Sequence, residues 1–189
     1  MEELIKKTSF KVKLQNGDGK FLTAYMYASD ERIESIEPHY SCRGEKIPAS
    51  VSRVGHYYIY LYDEKKGSFL PTRTKVFSDF HELRFNVEGS GLIVLSGLKQ
   101  HKPDVLIISQ YGDCSGDFFD AYGFYKDKLS LKNYLFAAGK RKVVGFYGRI
   151  SKYQVNNSLV AYTTSENYGL VEWALCLSDN EGEIELQPA

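Results

Sequence analysis

Any chemistry in this chain would have to come from a few polar clusters. Residues 149–157 (RISKYQVNN) set Arg149, Ser151, Lys152, Tyr153, Gln154, Asn156 and Asn157 between two apolar runs, 143–147 and 158–162. The runs are β-branched and aromatic, which suits strands, and the middle has turn chemistry, so the stretch reads as a hairpin with a polar tip. Such a tip suits a sugar, whose hydroxyls need donors and acceptors and whose C–H face packs on an aromatic ring. Asp113, Ser115, Asp117 and Asp120 offer oxygen ligands near calcium-loop spacing, but Phe118-Phe119 occupy the part of the loop that needs a glycine, so a solvated turn is expected. The four histidines (His39, His56, His81, His101) show no HxH or HxxxH spacing, which argues against a metal centre. No GxSxG elbow or phosphate-cradling loop is present. The expectation is a protein without catalysis and without a cofactor.

Composition narrows the partners. The 189 residues contain 24 Lys plus Arg and 24 Asp plus Glu, so no global charge draws the chain to nucleic acid or anionic lipid. Fifteen Tyr and eleven Phe, with sixteen Gly and five Pro, fit an aromatic-rich β protein and exclude disorder. The first ten residues, MEELIKKTSF, lack a signal-peptide core, and no apolar run reaches the ~20 residues of a membrane span. Three widely spaced cysteines (Cys42, Cys114, Cys176) read as free thiols. The expected location is cytoplasmic, or secreted without a signal peptide.

The elements that must position these groups are strands. Residues 10–14 (FKVKL) and 21–27 (FLTAYMY) flank the turn Asn16-Gly17-Asp18-Gly19 as a hairpin. Residues 57–62 (YYIYLY) with 68–77, and 83–87 (LRFNV) with 92–95, read as two more hairpins, and 169–177 with 183–186 as a last one. Residues 32–40 (RIESIEPHY) are a weaker strand, because Ile33 and Ile36 fall on opposite faces unless a bulge intervenes. The near-continuous apolar run 104–110 (DVLIISQ) predicts a strand covered on both sides. Residues 131–138 (LKNYLFAA) are the one stretch with a helical option. Ser-Asp pairs close strands at Asp30, Asp79 and Asp179, with Lys-Asp at Asp127, spaced 49, 48 and 52 residues, which would suit a four-bladed β-propeller.

Several stretches resemble the jacalin-related lectins. Gly145-Phe146-Tyr147-Gly148-Arg149-Ile150-Ser151 and Ser158-Leu159-Val160-Ala161-Tyr162 are similar to the two halves of that family's GFHGRSGxYLDAIGVY segment. Gly89-Ser90-Gly91-Leu92-Ile93-Val94-Leu95-Ser96-Gly97 resembles its GEYIxxVSG, Arg32-Ile33-Glu34-Ser35-Ile36 with Tyr40 its xIDSIxxxY, and residues 104–109 its ITSLTF strand. The resemblance implies a β-prism of three antiparallel Greek-key sheets in one domain over residues 1–189. Residues 56–80, read as an inserted hairpin, and 163–189, read as a C-terminal extension, have no family counterpart.

The resemblance also implies a ligand site at one end of the prism, made by a GxxxD loop and a glycine-rich loop. Here the GxxxD loop falls on Ser151-Lys152-Tyr153-Gln154-Val155, with serine for the glycine and no aspartate at the expected place. The expected contacts are therefore Tyr153 as a stacking face and Ser151, Gln154, Asn156 and Asn157 as hydroxyl partners, with Gly17 and Asp18 opposite. Gly17 and Asp18 also read simply as a tight turn. A mannose- or glucose-type glycan, free or on a glycoprotein, is the implied ligand. Two alternatives stand beside it. One is a protein-interaction or structural module that has lost the sugar, with the Tyr-rich hairpin 57–62 as its surface. The other is a small propeller that processes glycosides. Assembly into a homo-oligomer is left open.

Overall fold

The structure, a computed structural model, describes residues 4–5, 8, 10–40, 44, 46–78, 80–86, 91–97, 102–113, 116–124, 129–144, 146–155, 158–165, 169–180 and 182–188. For 111–113, 116, 143–144, 146–155, 158–165 and 169–172 that description is of backbone and strand pairing. The chain is all-β. Its strands are β1 (Phe10–Gln15), β2 (Phe21–Tyr27), β3 (Arg32–Ile36), β4 (His39–Tyr40), β5 (Lys46–Ile47), β6 (Ser50–Gly55), β7 (Tyr58–Asp63), β8 (Ser68–Lys75) and β9 (Leu83–Asn86). They continue as β10 (Leu92–Leu95), β11 (Val105–Asp113), β12 (Gly116–Phe124), β13 (Leu131–Ala138), β14 (Arg141–Val144), β15 (Phe146–Val155), β16 (Ser158–Ser165), β17 (Gly169–Leu177) and β18 (Glu183–Pro188). Among the described residues no helix is long and apolar enough to cross a membrane.

Pairing sorts these strands into sheets of unequal size: four strands (β1-β2-β7-β8), nine (β10-β11-β12-β15-β16-β17-β18-β13-β14), three (β3-β6-β9) and a two-stranded ribbon (β4-β5). The prism and propeller expectations both rest on equal repeats, whereas the strands here divide four, nine, three and two. All described pairings are antiparallel except that of β13 with β18. The nine-stranded sheet curls on itself. The first half of β12 bonds β15 and its second half bonds β13, so the pairings run in a ring from β12 through β15, β16, β17, β18 and β13 back to β12.

Strand β11 is the wall between two cores. Val105, Leu106, Ile107 and Ile108 are each at most 1% exposed, and alternation sends Leu106 and Ile108 to one side and Val105 and Ile107 to the other. On the first side they meet Leu14, Leu22, Met26, Ile59 and Leu61 of the four-stranded sheet, and Phe85 of β9. On the second side they meet Phe136, Leu175 and Ile184 inside the curled sheet. Asp104, buried just before β11, locks the sheets together: its carboxylate accepts the Gly97 and Gln15 amides at 2.9 and 2.8 Å, and its own amide donates to the Gln15 carbonyl.

Several local expectations need correction. Residues 131–138 form strand β13, because its first half pairs with β12 and its second half lies between β14 and β18. The 83–87 and 92–95 stretches are no hairpin, since β9 pairs with β6 and β10 with β11. Strand β3 pairs with β6 without a bulge, and Ile33 simply faces solvent, 56% exposed. Within residues 56–80, β7 and β8 do pair as a hairpin; β7 also pairs with β2, and Tyr57, Ile59, Leu61 and Phe77 lie in the first core.

Candidate functional site

The sugar-contact residues expected from sequence fall in two places. Ser151, Tyr153 and Gln154 lie within strand β15, so the segment expected as a loop is extended chain paired with β16. Ser151 pairs with Val160 and Gln154 with Leu159, which leaves Lys152 and Tyr153 as the extra residues of a bulge. Asn156 and Asn157 lie outside the described residues. Gly17 and Asp18 sit in the β1–β2 turn, where the buried Asn16 side chain accepts the amides of Asp18 and Lys20, both at 3.0 Å. That is an Asx turn, the tight-turn reading of these residues. The two groups stand in different sheets. In the Asp113–Asp120 stretch, Asp113 pairs with Gly116, and Asp120 is buried and accepts the Tyr122 hydroxyl at 2.9 Å.

The solvent face of the four-stranded sheet carries a denser set of groups. Along β7, Ile59 and Leu61 point into the core, so Tyr58, Tyr60 and Tyr62 point out. Register sets Tyr27, Tyr25 and Thr23 of β2 beside them, Tyr25 and Thr23 being covered by their neighbours, and Lys75, Arg73 and Phe69 of β8 on the other flank. Lys11 and Lys13 of β1 follow beyond Tyr25 and Thr23. A bulge sets Leu70, Pro71 and Thr72 against Leu61 alone. The excess is two residues, so Phe69 and Arg73 stay on the same face, and Pro71, which has no amide to donate, falls in the irregularity.

The rings interlock edge to face. Phe69 stands 5.0 Å from Tyr62, 5.7 Å from Tyr25 and 6.4 Å from Tyr60 between ring centroids, and Tyr25 stands 6.2 Å from Tyr62. The Arg73 guanidinium lies 4.4 Å above the Tyr58 ring, and a hydrogen bond with Tyr60 holds its pKa above the ordinary value. Lys13 lies 5.3 Å over Phe21, which is 49% exposed at the end of the row. Among the described residues the carboxylate at this margin is Glu64, occupied by Thr23 Oγ1 at 2.8 Å and Lys13 at 3.8 Å. The face thus offers ring edges, phenol hydroxyls and cationic donors, and among the described residues its carboxylate is engaged.

A second cluster forms where the four-stranded and three-stranded sheets exchange the chain. All three crossovers between them, β2 to β3, β6 to β7 and β8 to β9, meet there. The first brings Asp30, the second His56, and the third His81 and Glu82. Asp30 accepts the His56 backbone amide at 3.0 Å through Oδ1 and faces His56 Nδ1 at 2.5 Å through Oδ2. That pairing holds the Asp30 pKa below its usual value. Glu82 is gripped by both terminal nitrogens of Arg32 at 2.7 and 2.9 Å, which depresses its pKa too. The His56 and His81 rings meet edge to face, centroids 5.5 Å apart. Gly55 permits the approach: a Cβ there would stand 3.1 Å from the Ala28 methyl and 3.2 Å from Asp30 Oδ1. Beneath, Glu31 takes Arg53 at 2.6 Å and the Tyr57 hydroxyl at 2.8 Å, and burial pushes the Tyr57 phenol well up.

No family model, curated protein or solved structure matches this chain.

Sequence reasoning saw only part of these groups. It singled out 57–62 as a tyrosine-rich hairpin but not Tyr25, Tyr27 and Phe69 as its continuation; alternation in FLTAYMY carried that signal. It took the histidines as scattered, whereas the crossovers bring His56 and His81 into ring contact.

Proposed function

We propose that this protein is a non-catalytic carbohydrate-binding module that lays an acidic glycan along the tyrosine face of its four-stranded sheet. The observation that carries this reading is the row Tyr58-Tyr60-Tyr62, flanked by Tyr27 and Phe69, backed by the buried Tyr25 ring and bordered by Lys11, Lys13, Arg73 and Lys75. Sugar C–H faces pack on aromatic rings, and phenol hydroxyls exchange hydrogen bonds with sugar hydroxyls. Neutral sugars also need acceptors, and Glu64 is already engaged. A surplus of cationic donors favours a glycan whose carboxylates or sulfates supply the acceptors.

A binding screen on immobilised glycans, neutral and acidic, tests this, with single-stranded DNA and RNA in parallel. Selective binding to acidic glycans is expected, weakened at least tenfold by Tyr60→Ala or Arg73→Ala and lost progressively with salt. Binding only to single-stranded nucleic acid, or to nothing with the protein folded, overturns it. A mannose- or glucose-type ligand on the Ser151–Asn157 segment is the competing placement; retained neutral-sugar binding in Tyr60→Ala, abolished in Tyr153→Ala, would select it. A protein partner is the second reading, favoured by the exposed Ile33 and Val51 on the three-stranded sheet and by Tyr40, 72% exposed.

A further inference from the structure

We infer that the junction of the three sheet-to-sheet crossovers is a zinc site, with Asp30, His56 and Glu82 as ligands and His81 completing a tetrahedron. One candidate ligand atom from each of Asp30, His56 and Glu82 lies within 4.8 Å of the others. His81 stands outside that group of three, its ring meeting His56 edge to face with centroids 5.5 Å apart; two imidazoles on one tetrahedral zinc at about 2.0–2.1 Å have centroids about 5 Å apart, so a turn of the exposed His81 side chain would bring a nitrogen to the ion. Two imidazole nitrogens with two carboxylate oxygens are a donor set for zinc rather than for calcium or magnesium, which take oxygen alone.

Outer contacts already aim these ligands. The His56 amide occupies Asp30 Oδ1 and leaves Oδ2 facing the ring. Arg32 takes one hydrogen bond on each Glu82 oxygen, and every carboxylate oxygen keeps a second lone pair for a metal. Arg32 is itself fixed by Glu34, which also takes Arg84 at 2.7 Å. Two carboxylates neutralise the ion, and Arg32 stays outside it. On binding, zinc takes the place between Asp30 Oδ2 and His56 now held by a hydrogen bond. Because each crossover contributes a ligand, the ion would tie the two sheets at every point where the chain passes between them. The site is separate from the tyrosine face and does not depend on the glycan reading.

The test uses the untagged full chain, freed of metal with a chelator and titrated with Co2+ and then Zn2+. The expected result is one Co2+ per chain with the intense visible absorption of a tetrahedral N/O site, displaced by one equivalent of Zn2+, and a rise in thermal midpoint with Zn2+. His56→Ala should abolish the spectrum. His81→Ala, at an exposed position that leaves the fold intact, should weaken Zn2+ at least tenfold and replace the tetrahedral spectrum with a weaker one of higher coordination. No Co2+ or Zn2+ binding tighter than about 1 mM overturns the site. Binding unchanged in both His56→Ala and His81→Ala overturns it equally.

Discussion

Tyr122 is the residue whose removal should be felt most sharply for the least change in shape. Its side chain is fully buried in β12, and its hydroxyl accepts the Phe77 amide at 2.7 Å while donating to Asp120 at 2.9 Å. Phe77 has φ 48°, the one non-glycine residue in the left-handed region among those described. A bulky residue there stores of order 1–3 kcal/mol of strain, so neighbours must over-determine it. The Tyr122 hydroxyl is one such restraint, and the Phe77 ring, 5.6 Å from Phe80, is another. Tyr122→Phe keeps the ring and leaves a buried amide without its acceptor, a loss of about 1–3 kcal/mol. For a chain of this length that lowers the thermal midpoint by about 2–12 °C. Urea unfolding should show a lower midpoint at unchanged m-value, and hydrogen exchange should accelerate first around Phe77 and the loop leading to His81 and Glu82. A loss below about 0.5 kcal/mol, typical of surface changes, or exchange that quickens everywhere alike, would refute the reasoning.

Two further outcomes are expected. Gly123→Ala puts a Cβ 2.4 Å from the Tyr134 ring, whose hydroxyl is held by the Phe124 carbonyl at 2.8 Å, so the ring cannot simply swing away. Overpacking should cost about 1–3 kcal/mol in denaturant unfolding, partly recovered in Gly123→Ala/Tyr134→Leu; an additive double mutant would argue against the clash. The second concerns pH. Hydrogen bonds from His56, Lys20, Arg32, Lys102 and Lys142 depress the folded-state pKa of Asp30, Asp63, Glu82, Asp179 and Glu183 respectively. The unfolded chain therefore binds more protons as pH falls through the ordinary values of 3.8 and 4.5, so this stability is full above them and disappears as pH drops through the lower folded values. Unfolding midpoints that stay flat or improve on acidification through that window would contradict it.

Local features of the sequence announced a good part of this fold. The β1–β2, β7–β8 and β17–β18 hairpins follow from alternation interrupted by turn residues, and β11 follows from an apolar run too continuous for a one-sided strand. What failed was decided at long range. Leu131, Leu135 and Ala138 have helical spacing, and only the partners β12, β14 and β18 make 131–138 a strand. Likewise β9 is drawn to β6 rather than to β10 next along the chain. The tyrosine face was half legible, since each strand shows its alternation but nothing local states which strands are neighbours. The crossover cluster was not legible at all, because Asp30, His56 and Glu82 are each 26 residues apart.

The ring that closes through β13 and β18 also sets an order of assembly. Leu135 finds Glu183 as its partner 48 residues later, so at about 5–20 residues per second of synthesis β13 waits roughly 2–10 s for that edge to be filled. The first core draws on residues 10–131 and can condense during that interval. The second core needs Ile184 and Leu186, and until they arrive Phe136 and Leu175 line an open trough with bare strand edges. Of the two cores, the one completed later is therefore the one that a chaperone, or another nascent copy, meets unfinished.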